Sequence, residues 1–477
     1  MTGALRLHPL NAVISLRKYL ILLAIPILRG VFAVDEGLAA WLKGLWLDGI
    51  VVGAVVLLAW LRWKMSRLVL ESDRLTYTRG LFWRTTDVFF ADCLSAMHVS
   101  YPFYLRPFGA AMVQPETVTA EYRLFHPILV SKREVRRIEA FFRGHASVRI
   151  RAISRPDPSE VALAAAASSN VVGGFAFALT VLSNTARYAG EQTANRFLNL
   201  ASQIVHKVSL GLPPVVAIPL FTFAIIYLLE FLRNLAEYYR FSVSRAKDVL
   251  CVEGGLFTRY RLYTRLASIE SVDLRCGLFA RWFTGTRVYV NAAGFTLAAF
   301  TPAIIPSGDT LDAVRELRRI LPELGSLACP IRVARKKVRI AYTLMPTLLL
   351  FAIPVAGGIA AFLLPPFVSL MTFWGVMASL AILWQLCHKI AALRHTGMGI
   401  YPDHLVLAYL SRLRFHRVWI PKERIARITV AQTAQQARKG ICNVYVFETA
   451  RRRRRHVVRG VDAEAARKAL ERCGYPT

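Results

Sequence analysis

The chain has 477 residues, 55% of them hydrophobic, and its 61 Lys and Arg outnumber 30 Asp and Glu to give a formal net charge of +31. With 27 Phe, 17 Tyr and 9 Trp it carries too much buriable surface for a disordered basic tail, and its length and seven scattered cysteines exclude a small disulfide scaffold. A mean hydropathy of +0.40 beside so much charge points to an integral membrane protein with large basic parts outside the bilayer.

Six apolar runs approach the ~20 residues that a spanning helix needs. The first pair is Tyr19–Val34 and Gly44–Leu61, and the residues before it, Met1–Arg17, precede no signal-peptide cleavage site. Arg29 interrupts one run and Asp48 the other at similar depth, which makes them a candidate intramembrane charge pair. The second pair is Val161–Leu182 and Leu212–Leu229. Its Ala-rich first member suits close helix packing in lipid, with a soluble amphipathic helix as the alternative. The third lies within Ile340–Cys387, 48 residues without Asp, Glu, Lys or Arg, which Pro365-Pro366 divides into Ile340–Leu364 and Phe367–Cys387. The connections 35–43, 183–211 and 365–366 hold only four basic residues, Lys43, Arg187, Arg196 and Lys207. By the positive-inside rule both termini and the three large segments then face the cytoplasm, where free cysteines stay reduced.

The large segments repeat. Asp73-Arg74-Leu75, Asp248-Val249-Leu250 and Asp403-His404-Leu405 open three copies; Leu94, Ile269 and Ile425 follow at matching offsets, and Gly109, Gly285 and Gly440 after them. Two copies share Gly-Leu-Phe-x-Arg, ending in Arg84 and Arg259, and each has an Arg before its later Gly: Arg106, Arg281 and Arg438. Runs such as Val249–Val252 and Arg287–Val290 read as strands, and Ser271-Val272-Asp273-Leu274 alternates polar with apolar. Helices over 131–142, from Asp309 to Leu321 and from Val461 onward close the copies.

The stretch Arg265-Leu266-Ala267-Ser268-Ile269-Glu270-Ser271-Val272-Asp273-Leu274-Arg275-Cys276-Gly277-Leu278-Phe279-Ala280-Arg281, continued by Thr286 to Gly294, resembles the signature of the bacterial PH-like (pleckstrin-homology-like) membrane-flanked domain family of the YdbS/YdbT type. The three-unit layout resembles the long members of that family. The resemblance implies a PH-like bent sheet capped by a helix for each repeat; with the apolar runs, the expected fold is six transmembrane α-helices as three hairpins, alternating with three PH-like β-sandwich domains, each closed by a C-terminal helix. The expected borders are hairpins at 1–61, 156–235 and 326–390 and domains at 62–155, 236–325 and 391–477. It also implies the bacterial inner membrane, a shorter YdbS-like partner with one hairpin and one such domain, and an association with envelope stress or peptide-antibiotic resistance. A homo-oligomer is a further expectation.

No nucleotide-binding loop, HExxH or paired Cys/His spacing occurs in the sequence, so no enzyme activity, cofactor or metal is expected. The conspicuous charge is Arg451, Arg452, Arg453, Arg454 and Arg455, between two strand-like runs. Such a loop meets anionic lipid headgroups at about 1 kcal/mol per basic residue, or stays solvated; nucleic acid is not expected. Together with Arg259 and Arg281 these arginines are the lipid- or partner-binding candidates. The sequence thus reads as a non-enzymatic membrane scaffold. The alternative is a transporter or lipid-handling protein, which the scarcity of ionisable residues in the apolar runs disfavours.

Overall fold

The computed structural model describes residues 3–16, 45–81, 83–117, 127–144, 150–168, 214–277, 285–292, 303–306, 308–363, 365, 368–411, 414–449 and 455–475. The first unit opens with β1 (Gly3–Leu5), α1 (Leu10–Leu16) and α2 (Leu45–Met65). The strands β2 (Arg67–Leu70), β3 (Arg74–Arg79) and β4 (Thr85–Phe90) then join β1 in a four-stranded sheet, order β1-β2-β3-β4. A 3-10 turn, Ala91–Cys93, leads into the antiparallel strands β5 (Leu94–Pro102), β6 (Ala110–Thr117) and β7 (Ile128–Ser131). Helix α3 (Lys132–Arg143) closes the unit; the Ser131 side chain accepts a hydrogen bond from the Glu134 amide, and Val135, Ile138 and Phe142 are buried.

The second unit repeats the plan with β8 (Ile150–Ser154), α4 (Pro158–Ser168), α5 (Pro214–Glu237), β9 (Ser242–Ala246), β10 (Val249–Gly254) and β11 (Thr258–Arg265). After the turn Leu266–Ser268 come β12 (Ile269–Gly277), β13 (Arg287–Ala292) and α6 (Thr310–Ile320). The third has β14 (Ile331–Arg332), α7 (Arg335–Leu363), α8 (Val368–His395), β15 (Gly397–Ile400), β16 (His404–Ser411) and β17 (Arg414–Pro421). Past the turn Lys422–Arg424 it ends with β18 (Ile425–Ala431), α9 (Ala434–Arg438), β19 (Ile441–Glu448), β20 (Arg455–Asp462) and α10 (Ala463–Arg472). All three copies bulge at the same place, between Leu94 and Ala96, Ile269 and Ser271, and Ile425 and Arg427. In each, helices sit between the first strand and the second, because β1 pairs β2, β8 pairs β9 and β14 pairs β15.

The units are not separate sandwiches. β5 of the first pairs antiparallel with β11 of the second, which makes one seven-stranded sheet, order β7-β6-β5-β11-β10-β9-β8. β12 of the second pairs with β17 of the third in a six-stranded sheet, order β13-β12-β17-β16-β15-β14. The core follows the sheets: Val249, Cys251 and Tyr263 of the second unit lie in the cluster with Leu68, Met97 and Ile138 of the first.

The expected six membrane-crossing helices in three hairpins, alternating with three sandwich domains, are therefore corrected. Among the described residues one helix, α7, is long and apolar enough to cross a membrane, and most of the other elements build sheets. An apolar run is also what a docked helix presents. The start of the Val161–Leu182 run is α4, whose Ala164 and Ala165 are buried; the Arg287 guanidinium donates to the Ala164 carbonyl and the Asn234 side chain to that of Ala165, the latter at 3.4 Å. The Tyr19–Val34 run and residues 169–182 lie outside the described residues. The Gly44–Leu61 and Leu212–Leu229 runs fall on α2 and α5, and the third pair on α7 and α8, which pack together.

Candidate functional site

Two basic clefts stand out. The first, about 370 Å³, lies where the first two units join and is lined by Arg106, Lys132, Arg240, Arg259 and Arg261, with Glu253 its single acid. Gly255 shapes its floor: its φ is +97°, and a Cβ there would come within 2.1 Å of the Thr258 carbonyl oxygen, so only glycine lets β10 turn into β11. The turn is held from across the join. Arg106 donates to the carbonyls of Leu256 (2.6 Å) and Phe257 (2.7 Å), and burial, then the charge of Arg259, lowers its pKa. Arg261 is paired with Glu253 (3.4 Å) and Glu139 (3.5 Å). For Arg259, Arg240 and Lys132 there is no carboxylate at ion-pair distance among the described residues.

The second cleft, about 640 Å³, lies at the foot of α7 and α8 and is lined by Lys389, Arg455 and Arg459 with no acidic residue. β20 presents Arg455, Val457 and Arg459 to it on one face, as the two-residue period of a strand requires. Gly460 lets this strand approach α7 closely; its φ is +72° and a Cβ would meet the Val338 side chain at 2.7 Å. The Tyr342 hydroxyl of α7 donates to the Arg459 carbonyl at 3.2 Å, which fixes the helix foot to the strand. The Arg455 guanidinium lies 5.1 Å from the Tyr445 ring centroid. Beside it a buried relay links the Tyr409 hydroxyl to His456 Nδ1 at 2.7 Å and His456 Nε2 to Glu448 Oε1 at 2.8 Å. Clefts of this kind suit an anion: several guanidinium and ammonium donors converge with phenolic hydroxyls nearby.

Of the residues expected from sequence, Arg455 and Arg259 line the second and the first cleft respectively. Arg451, Arg452, Arg453, Arg454, Arg281 and Arg29 lie outside the described residues; Asp48 is on α2. Lys389 and Arg459 were missed. The alternation from Arg455 to Arg459 along a strand was the available signal for the second, while nothing local in the sequence places Lys389 next to β20.

A model of the bacterial PH domain matches residues 20–167 and 198–323, more than half of the chain. The chain belongs to the bacterial PH domain family. The two matches fall on the first two units, and the third repeats their strand order, bulge and closing helix. No curated protein and no solved structure matches the chain. Bacterial PH domains are binding modules rather than catalytic ones, so the clefts are read as sites that hold a ligand.

Proposed function

We propose that this protein is a membrane-anchored scaffold whose joined PH domains hold anionic lipid headgroups, chiefly in the cleft at the foot of α7 and α8. The observation that carries this reading is the position of that cleft. Three cations and no acid line it, and its wall includes Val338, Ala341 and Tyr342 of the one described helix able to cross a membrane. Exposed Ile340, Met345, Phe351, Val355 and Phe362 on α7 need an apolar surround, and a bilayer supplies it. A phosphate at that level meets Lys389, Arg455 and Arg459 together. The basic flank of α7, Arg335 to Arg339, favours placing the domains on the cytoplasmic face.

The full chain in mild detergent, analysed by native mass spectrometry for retained lipid, tests this. Phosphatidylglycerol retention should drop sharply in a Lys389→Ser, Arg455→Ser, Arg459→Ser variant with unchanged circular dichroism, while phosphatidylethanolamine retention stays the same. Equal retention of phosphatidylglycerol by both proteins would sink the reading.

A further inference from the structure

The two joins between units share one register. At the first, Tyr263 pairs with Met97, and at the second Trp419 pairs with Val272. Tyr263 and Trp419 each stand three residues before the 3-10 turn of their unit, and Met97 and Val272 each stand three residues past the start of the strand after it. The join is therefore a property of the repeated domain. It brings the fourth strand of one unit to the fifth strand of the unit before it.

The last residue of the 3-10 turn reinforces each join. The bulge residue of the first unit, Ser95, is buried, and its carbonyl accepts from Ser268 Oγ of the next unit's turn at 2.9 Å. At the second join the equivalent turn residue, Arg424, donates to the Ala267 carbonyl.

Both halves of a third join remain unused at the ends of the row. Among the described residues β4 is paired only with β3, and β18 only with β19. β4 is the counterpart of β11 and β17, and β18 of β5 and β12. Neither edge strand contains Lys or Pro, two of the usual protections against strand addition. Val88 and Phe90 on β4 are 42% and 50% exposed. Cys93, the counterpart of Ser268, and Ala426, the counterpart of Ser95, are exposed, whereas Ser268 and Ser95 are buried in the first join.

We propose that a second copy of this chain continues the series, its β18 adding antiparallel to β4 in the register of the internal joins. Val88 then faces Ile428, as Tyr263 faces Met97, and Thr86 faces Val430. Asp87 faces Thr429 and lies diagonal to Arg427 on the same face, a favourable cross-strand arrangement. The occupant is another copy because one chain carries both complementary edges, and the interface is continuous in kind with two that already exist inside it. Since the two edges differ, the contact is head-to-tail and leads to a ring or an open row rather than a two-fold dimer.

Cross-linking of the full chain in mild detergent tests the register. In an Ala426→Cys variant, native Cys93 of one copy should meet the introduced thiol of the next. Mild oxidation should then yield intermolecular disulfides between positions 93 and 426, identified by peptide mass spectrometry. Adding Cys93→Ser should abolish them. Light scattering supplies the second arm. Val88→Lys should reduce the assembly to the mass of one chain, and Ile428→Glu placed in the Val88→Lys chain should restore it by a Lys–Glu pair. A single-chain mass for the wild type, disulfides that persist without Cys93, or assembly unaffected by Val88→Lys would each overturn the proposal. So would a stable complex in which a different protein occupies β4 and no self-link forms. None of these outcomes depends on the lipid cleft, so this proposal and the lipid reading fail separately.

Discussion

Asp273 illustrates how a side chain read one way in isolation behaves differently at a join. Ser271 to Leu274 alternate polar with apolar, yet all four are buried, with β13 on one edge of β12 and β17 on the other. Asp273 is tolerated there through His416 Nδ1 at 3.1 Å and Arg275 Nε at 2.6 Å. Burial alone raises its pKa, but the His416 hydrogen bond and the Arg275 charge outweigh it and the net shift is downward. Asp273→Ala leaves the half-buried Arg275 guanidinium without its carboxylate and removes the partner of His416 Nδ1, and losing such a partner costs about 1–3 kcal/mol; thermal unfolding of the full chain should show it. Glu116 is the opposite case. It is 1% exposed on β6, neither carboxylate oxygen has a partner among the described residues, and burial raises its pKa to about 8. An unfolded Glu ionises near 4.5, so between pH 4.5 and 8 the folded state keeps a proton that the unfolded state loses. Stability therefore falls as pH rises through that window and levels off above it. Glu116→Gln should raise the unfolding temperature more at pH 9 than at pH 5; an equal gain at both would show that the carboxyl is not held neutral.

The elements inside a unit are legible because their signals are local. Strand runs such as Val249–Val252, the capping Ser131 and the apolar spacing of Leu317 and Ile320 each act within a few residues, and β10, α3 and α6 form where those signals lie. Two features escape such a reading. Strands β1, β8 and β14 are three, five and two residues long and pair across intervening helices, so neither length nor spacing betrays them. The joins are equally silent, since a strand's sequence reports that an edge is buried but not which chain segment buries it. The apolar runs misled in the other direction, because Ala164 and Ala165 serve docking onto Arg287 and Asn234. A consequence concerns the fragment 391–477. It lacks β14 and leaves β17 without β12, exposing the edge around Trp419 and Phe415. Expressed alone it should aggregate or lack a cooperative melt, whereas the full chain melts cooperatively. A monodisperse, cooperatively melting fragment would mean that the shared sheet contributes little.

At the scale of the whole molecule, a charge of +31 must be balanced by something outside the chain, because 30 acids cannot neutralise 61 bases. Self-repulsion disfavours a compact basic protein unless counter-charge lies nearby. The screening length at physiological salt is ~8 Å, so that counter-charge has to sit at the surface itself. The run Arg451–Arg455 ends at the start of β20, where Arg455 lines the cleft at the foot of α7. On the proposed reading an anionic bilayer surface supplies that counter-charge, at about 1 kcal/mol per basic residue. On the proposed membrane reading, replacing Arg451–Arg455 by Ser should leave α7 in the bilayer, since insertion depends on its apolar length. It should instead reduce the preference for acidic lipid next to the protein. Tryptophan quenching by brominated phosphatidylglycerol, relative to brominated phosphatidylcholine, reads that preference in reconstituted vesicles. The wild type should favour the acidic lipid at low salt and lose most of that preference in concentrated salt, and the variant should show little at either. A preference that survives both the substitutions and the salt would mean that the arginine run is merely solvated, and that residues elsewhere on the protein hold the acidic lipid.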